Sequence, residues 1–414
     1  VNVEAPIVDP ARVVDALREL RALTGDAHGA QRLAWTPTWA LAREWLRERL
    51  GGSPVVVDLD EAGNLWATLP GQRPDSLVIG SHLDSIPEGG WLDGCLGVLA
   101  GAEILLGLAA RGMPPVTVKL VDWADEEGVR FGGQSMYGSA TVAGALDPTS
   151  IADARDAAGV RFADAAGAFG IDLTTAARAG DRLTGVRSYL ELHIEQGPVL
   201  EGLGLPLGVV TGAVGIERHS LRLEGQAAHA GSTPMSDRHD ALCAGARIAL
   251  EARALAIGLD GRATTGEMTV APGLATVIPR TVDMTVDLRH ERDDMLADLL
   301  AQTRAAAARI AEQEAVSLSM REVLQIAPTA FDETLIGLAA DAVAELTERP
   351  AHLMPTGALH DAAQLAGAGV PAVMLFVRSR GGISHSPAED TDPQDLELAV
   401  KALANLAQRV LRRL

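Results

Sequence analysis

The sequence predicts an α/β fold in which a mixed central sheet flanked by helices is interrupted by an inserted module with the βαββαβ order of a ferredoxin-like domain. Two observations predict it. Apolar runs ending in polar or acidic residues alternate with helical patterns up to about residue 130 and again after residue 326, as in βαβ units. Between them, strand and helix patterns follow in the order β, α, β, β, α, β. The expected domains are therefore 1–212 and 327–414 for the two parts of the larger domain and 213–326 for the insertion, whose ends would lie close together.

In chain order, two amphipathic helices are expected between residues 9 and 50, the second (TWALAREWLRERL) closed by Gly51 and Gly52. PVVVDLD and NLWATLP flank an EAGN turn and read as a hairpin. SLVIGSHLD, a helix over about 96–111 and VTVKLVDWADEE then give strand, helix, strand. Residues 140–185 are rich in Ala, Asp and Gly with short helical patterns, before SYLELHI returns to an apolar strand. In the module, IERHSLRLEG alternates, an Ala-rich helix spans roughly 236–258, and EMTVAPGLATVIPRTVDMTVDLRH holds two strands. A helix over about 291–313 and the strand AVSLSMREVLQ close it, after which DETLIGLAADAVAEL, VPAVMLFV and a C-terminal helix resume the α/β texture.

A chain of 414 residues with 47% hydrophobic content can bury a large core and divide into more than one domain. Its 35 Lys and Arg against 55 Asp and Glu, a net charge of −20, oppose binding to nucleic acid or an anionic membrane. Cys95 and Cys243 show no CxxC pairing and are expected as reduced core residues of a cytoplasmic protein. The start of the chain has no basic region followed by an apolar stretch, so secretion is not expected. GVLAGAEILLGLAARG is interrupted by Glu103 and reads as a buried helix rather than a membrane span.

Four motifs sit where an apolar strand runs out. SHLDSIPEGGWLDG carries His82, Asp84 and Asp93; VTVKLVDWADEE ends in Glu126 and Glu127; SYLELHIEQGP supplies His193; RGGISHSPAED supplies His385. Ligands of open α/β sheets collect beyond the carboxyl ends of the strands, where these motifs would converge. Taken singly, a His at a strand end is more often an ordinary surface or core residue, and a Glu pair is usually solvated. Taken together, three of the ten His follow apolar strands and are accompanied by carboxylates, a repetition that packing does not require. Imidazoles and carboxylates without thiolates suit two divalent cations, Zn²⁺ or Mn²⁺ first, with Co²⁺ or Ni²⁺ also admissible. Asp93 would bridge them, His82 and His193 completing one and Glu127 and His385 the other. Such a pair, roughly 3.5–4 Å apart and bridged by water, can generate hydroxide and polarise a carbonyl oxygen. Asp84 would fix the tautomer of His82. Glu126, on the opposite side of an extended segment from Glu127, would take the proton of the attacking water and return it to the leaving nitrogen.

SHLDSIPEGGWLDG, ADEEGVRFGGQSMYGS, HIEQGPVLE, AAHAGSTPMSDRHDA, DLRH and SHSPAEDT together resemble the amidase, hydantoinase and carbamoylase branch of the M20 metallopeptidase family over nearly the whole chain. That branch includes N-carbamoyl-L-amino acid hydrolases, allantoate amidohydrolases and β-ureidopropionases. The resemblance implies a dimetal-hydrolase catalytic domain carrying a smaller lid that also dimerises. It places the family's metal ligands on His82, Asp93, Glu127, His193 and His385 and its general base on Glu126. It further implies that His229, from the partner subunit of a homodimer, stabilises the oxyanion, that Arg289 holds the substrate carboxylate and that Gln196 contacts the substrate. For Arg289 the residues speak independently: in so acidic a chain, an Arg ending a strand suits a bidentate carboxylate anchor, the competing reading being an ion pair with Asp287.

Two positions depart from the family. Thr276 stands in LATVIP where the family has Asn, and Leu359 in GALHD where it has Gly, so a carboxylate contact and the space beside the scissile group are both altered. The expected activity is hydrolysis of the C–N bond of an N-carbamoyl (ureido) or related N-substituted amino acid, a small carboxylate-bearing molecule. An N-acyl amino acid deacylase of the same fold is the alternative. A catalytically idle metal-binding dimer is a third reading, against which the retained Glu126 argues.

Overall fold

The computed structural model describes residues 7–132 and 135–414; the first six residues, and Gly133 and Gln134 of the ADEEGVRFGGQSMYGS motif, lie outside them. The chain divides into two compact units, 1–211 with 330–414, and 212–329. In the first, helices α1 (Pro10–Thr24) and α2 (Pro37–Leu50) each begin with proline in the first turn, where its missing N–H costs nothing. Thr36 caps α2 by accepting from Trp39 N. The hairpin β1 (Val56–Leu59) and β2 (Leu65–Leu69) is antiparallel. It is followed by the parallel unit β3 (Ser76–His82), α3 (Cys95–Ala109) and β4 (Thr117–Trp123). Strands β5 (Val186–Ile194) and β6 (Leu207–Ala213) complete the first pass.

The second unit contributes β7 (Gly215–Glu224), α4 (Ala241–Gly258), β8 (Arg262–Thr264), β9 (Met268–Ala271), β10 (Thr281–His290), α5 (Asp293–Gln313) and β11 (Ser317–Ile326). The chain then adds β12 (Thr329–Ala330), α6 (Glu333–Thr347), β13 (His352–Thr356), β14 (Ala372–Val377) and α7 (Pro393–Arg413).

The larger sheet has nine strands in the order β12-β6-β14-β5-β3-β4-β2-β1, with β13 on β6. Its middle, β14, β5, β3 and β4, is parallel, and the pairs β4–β2, β2–β1 and β14–β6 are antiparallel. Every residue of β3 and β14 is buried, as expected of parallel strands covered on both faces. Successive side chains alternate between faces. Val373, Leu375 and Val377 join the core built with α1, α3, α6 and α7. Ala372, Met374 and Phe376 join a second core with Trp66, Trp123 and Tyr189. Glu103, the charge within α3, is buried and accepts from Asp9 N at 3.2 Å, so α3 is an interior helix. Among the described residues no helix is long and apolar enough to cross a membrane.

The smaller sheet is antiparallel in the order β8-β10-β7-β11, with β9 also on β10. Helices α4 and α5 pack on it around Leu221, Leu223, Ile248, Val282, Met284 and Ile310. Helix α4 starts at Ala241 rather than near 236, because Asp240 caps it by accepting from Leu242 N and Cys243 N. The short strand β8 was not foreseen. One expectation is corrected here. Cys95 is buried at the start of α3, but Cys243 is exposed: α4 buries a stripe through Ala241, Ala244, Gly245 and Ile248, and Cys243 lies off it.

Candidate metal centre

His82 is the last residue of β3 and His193 the last but one of β5. These strands are parallel neighbours, so both rings emerge at one sheet edge with centroids 5.9 Å apart. Each Nδ1 faces a backbone carbonyl, Asp84 O at 3.1 Å for His82 and Ile194 O at 2.9 Å for His193. A carbonyl can only accept, so Nδ1 carries a proton in both rings and Nε2 is the nitrogen left to face a cation. Both Nε2 atoms face Asp93 Oδ1, at 3.7 and 3.0 Å. The tight turn beyond Asp93 depends on Gly94, whose φ is +65° and whose Cβ would fall 2.4 Å from the His82 carbonyl oxygen.

The other oxygen of Asp93 serves a different group. Oδ2 lies 3.4 Å from His385 Nε2, 3.0 Å from Gln196 Nε2 and 3.1 Å from Ser384 Oγ. His385 Nε2 is also 3.4 Å from Glu127 Oε2. The donors thus form two groups, His82, Asp93, His193 and Asp93, Glu127, His385, each with its ligand atoms within 4.8 Å of one another. His385 does not sit at a strand end as expected: β14 stops at Val377, and a loop carries the imidazole back.

Asp84 Oδ1 accepts from Glu126 N and Oδ2 from Glu127 N, both at 3.2 Å. Its carboxylate lies 3.7 Å from His82 Nδ1, so the contact that fixes the imidazole is made by its carbonyl instead. Burial pushes Glu126 well above the usual carboxylate range, reinforced by the charges of Asp361, Glu127, Asp84 and Asp93. Glu127 is raised well above the usual range by burial and then by Asp93 and Asp84. Burial holds His82 down to about 4. For His193, burial is outweighed by Asp93, which lifts the imidazole to about 9. Four carboxylates gathered out of water, Asp84, Asp93, Glu126 and Glu127, beside imidazoles whose Nε2 atoms face inward are a donor set short of positive charge. Divalent cations fit it chemically, with oxygen and nitrogen ligands and no thiolate.

Three supporting residues went unread in the sequence. Glu389, within the SHSPAED motif, accepts from Leu92 N at 2.9 Å, Asp93 N at 3.1 Å and Ser384 Oγ at 3.0 Å, and so holds the Asp93 loop. A Cβ at Gly90 would stand 1.9 Å from the Glu389 carboxyl carbon, so the two glycines before Trp91 were the available signal. Asn64 Oδ1 accepts from Ala124 N at 2.9 Å and steadies the turn leading to Glu126. His360, next to half-buried Leu359, is buried with neither ring nitrogen partnered among the described residues, its ring 4.5 Å from that of His193.

The remaining candidates belong to the second unit. His229 is exposed and its Nδ1 accepts from Gly231 N and Ser232 N at 3.1 and 3.2 Å, which puts its proton on Nε2. Thr276 lies beside it, its carbonyl accepting from Ala230 N at 2.9 Å. Arg289 Nε donates to Asp287 at 2.8 Å, so the ion pair weighed as its alternative is present. Asp287 also takes Arg218 at 2.7 Å.

The profile of peptidase family M20/M25/M40 matches residues 78–409. The chain is 37% identical over 382 residues to the N-carbamoyl-L-amino acid amidohydrolase of Geobacillus stearothermophilus, covering 91% of this chain and 92% of that one. It is 35% identical over 389 residues to the allantoate amidohydrolase of Bacillus subtilis strain 168, covering 92% and 93%. A crystal structure of a hydantoinase/carbamoylase family amidase from Burkholderia multivorans superposes with a TM-score of 0.88 at 32% identity, covering 97% of this chain and 98% of that one. With the profile and relatives of this identity spanning almost its full length, the chain belongs to peptidase family M20/M25/M40, among its amidohydrolases.

Proposed function

We propose that the protein is a dimetal amidohydrolase that cleaves the C–N bond of an N-carbamoyl (ureido) amino acid or a closely related N-substituted amino acid. The observation that carries this reading is Asp93, whose two oxygens face two separate ligand groups, with Glu126 Oε2 3.7 Å from His82 Nε2 beside them. The substrate class is supported by what the relatives are named for.

His82 and His193 would hold one cation, Glu127 and His385 the other, and Asp93 both. When bound, the cations would supply Lewis acidity, polarising the ureido carbonyl and acidifying the attacking water. Glu126, buried beside both ligand groups, would take the water proton as a carboxylate and deliver it to the nitrogen that leaves. Asp84 keeps both Glu residues in place through their backbone N–H groups. His229 offers an Nε2–H donor suited to the oxyanion. Arg289, oriented by Asp287, would anchor the substrate carboxylate. Gln196, whose Nε2 already reaches Asp93, would contact the substrate through its unpartnered Oε1.

The second unit, with its ferredoxin-like strand order, is read as lid and dimerisation domain. Leu250 and Ile257 on α4 are 67% and 71% exposed, apolar surface that a second copy would cover. Two free thiols agree with a reducing cytoplasm.

The test is turnover of N-carbamoyl-L-amino acids, N-acetyl-L-amino acids and allantoate by the reconstituted enzyme. Release of the free amino acid from the carbamoyl substrates is expected; turnover of the acetyl series alone would select the deacylase reading. Thr276→Asn with Leu359→Gly should raise kcat/KM for plain carbamoyl substrates by roughly 10-fold, the value of about one regained charged hydrogen bond. Mixing inactive His229→Ala subunits with inactive Glu126→Gln subunits should restore activity in hybrid dimers, and no recovery after verified exchange would refute action across subunits.

A further inference from the structure

Leu83 lies between His82, a proposed ligand, and Asp84, which holds the backbone of Glu126 and Glu127. It is the first residue past the end of β3, whose ladder with β4 stops at the pair His82 and Trp123. Charged side chains take over where the ladder ends. Leu83 N donates to Asp122 Oδ1 at 2.7 Å, and Arg43 Nε holds the other oxygen of Asp122 at 2.6 Å. The Leu83 carbonyl accepts from Arg32 Nε at 2.7 Å. The peptide joining His82 to Leu83 and the peptide joining Leu83 to Asp84 are therefore both held. Because each peptide is planar, holding both fixes the two backbone dihedrals of Leu83, which set the direction of His82 relative to Asp84.

Arg32 is 0% exposed, no carboxylate among the described residues pairs with it, and its Nη2 has no partner among them. A cation buried without a counter-ion lowers stability, so packing alone does not account for it. Its backbone is laced to the same loop. Arg32 N donates to Ser85 Oγ and Ser85 N to the Arg32 carbonyl, both at 3.1 Å, and Ala30 N donates to Gly89 O at 2.9 Å. The remaining contact of the guanidinium is Nη1 to Thr24 Oγ1 at 3.3 Å.

We propose that Arg32 is a positioning residue of the metal centre: its Nε–H pins the Leu83 carbonyl, which aims His82 Nε2 at Asp93 and keeps the Asp84 carboxylate on the Glu126 and Glu127 N–H groups. The inference rests on the reading of this cluster as a metal centre.

The test is chelator competition for Co²⁺, with the visible absorption of the bound ion recorded alongside, in three variants. The amide nitrogen of Gln falls at the same point along the side chain as Nε of Arg, Lys has a methylene there but keeps a charge, and Met has neither donor nor charge. Arg32→Lys and Arg32→Met should weaken the ion held through His82 by about 10- to 100-fold, the usual effect of losing a group that orients a ligand, and should shift its absorption bands. Arg32→Gln should recover most of the affinity and the wild-type bands. A role confined to folding would instead lower the melting temperature of the metal-free variants and leave the bands unchanged, and that result overturns the inference. So does tight binding by Arg32→Lys with loss in Arg32→Gln, which would assign the effect to charge, and so does equal affinity in all three. Should Arg32→Met fail to fold, the comparison of Gln with Lys decides. A wild-type protein that binds no divalent cation would overturn the metal-centre reading and this inference with it, a result distinct from any ordering of the variants.

Discussion

The two ligand groups that meet at Asp93 are built in opposite ways. His82 and His193 stand on neighbouring strands with side chains 1% exposed, and each Nδ1 is pinned to a backbone carbonyl. His385 stands on a loop with φ +53° and a side chain 50% exposed, and its partner Glu127 follows the end of β4. In the first group the sheet has already removed the conformational freedom of the ligands. In the second, Glu127 is 7% exposed and only the His385 side chain keeps that freedom until a cation arrives, at roughly 1–2 kcal/mol. Because each 1.4 kcal/mol is tenfold in affinity, the strand-borne group should hold its ion roughly 10-fold more tightly.

The largest effect belongs to the residue both groups share. Asp93→Ala should lose both ions and all activity, and elemental analysis that still finds two ions per chain would break the bridging assignment. Next comes Glu126→Gln, which should keep the metal content and lower kcat by roughly 10²–10⁴-fold, the usual contribution of a general acid-base group. Full activity in the loaded variant would remove Glu126 from the chemistry. The asymmetry itself is read by graded chelation: one ion should leave well before the other, and His385→Ala should retain one ion per chain. Simultaneous loss of both ions would show that the loop group is as preorganised as the strand group. Glu389→Ala should have the smallest effect, about 10–100-fold in metal affinity, since Glu389 acts at one remove, holding the backbone of the Asp93 loop and the Ser384 hydroxyl. Unchanged affinity there would leave Gly94 and the strand ends as sufficient to shape the loop.

The difference between the groups also explains what could be read in advance. Motifs at strand ends are legible because an apolar run fixes where its last side chain goes, and His82 and His193 are of that kind. His385 was legible only as a motif: nothing in the residues between Val377 and His385 says how the loop returns. Glu389 reaches a loop 296 positions earlier in the chain, a contact that no local pattern encodes. The histidine tautomers depend on the carbonyls of Asp84 and Ile194, and backbone groups are the same in every sequence. The order of helices and strands was readable because burial imposes its period, whereas the start of α4 depended on the cap at Asp240 and the strand β8 on pairing with β10.

The chain leaves the larger unit and re-enters it on neighbouring strands: β12 runs beside β6, and Phe331 N donates to Thr211 O at 2.9 Å. For the engineer that seam is a splice point. Joining residues 211 and 330 by a short turn would excise the second unit, 212–329, as a cassette and keep the hydrogen bond from Phe331 N to Thr211 O. The shortened protein would keep His82, Asp93, Glu127, His193 and His385 but not His229 or Arg289. It would be a chassis that loads metal without selecting a substrate, onto which other cassettes could be grafted.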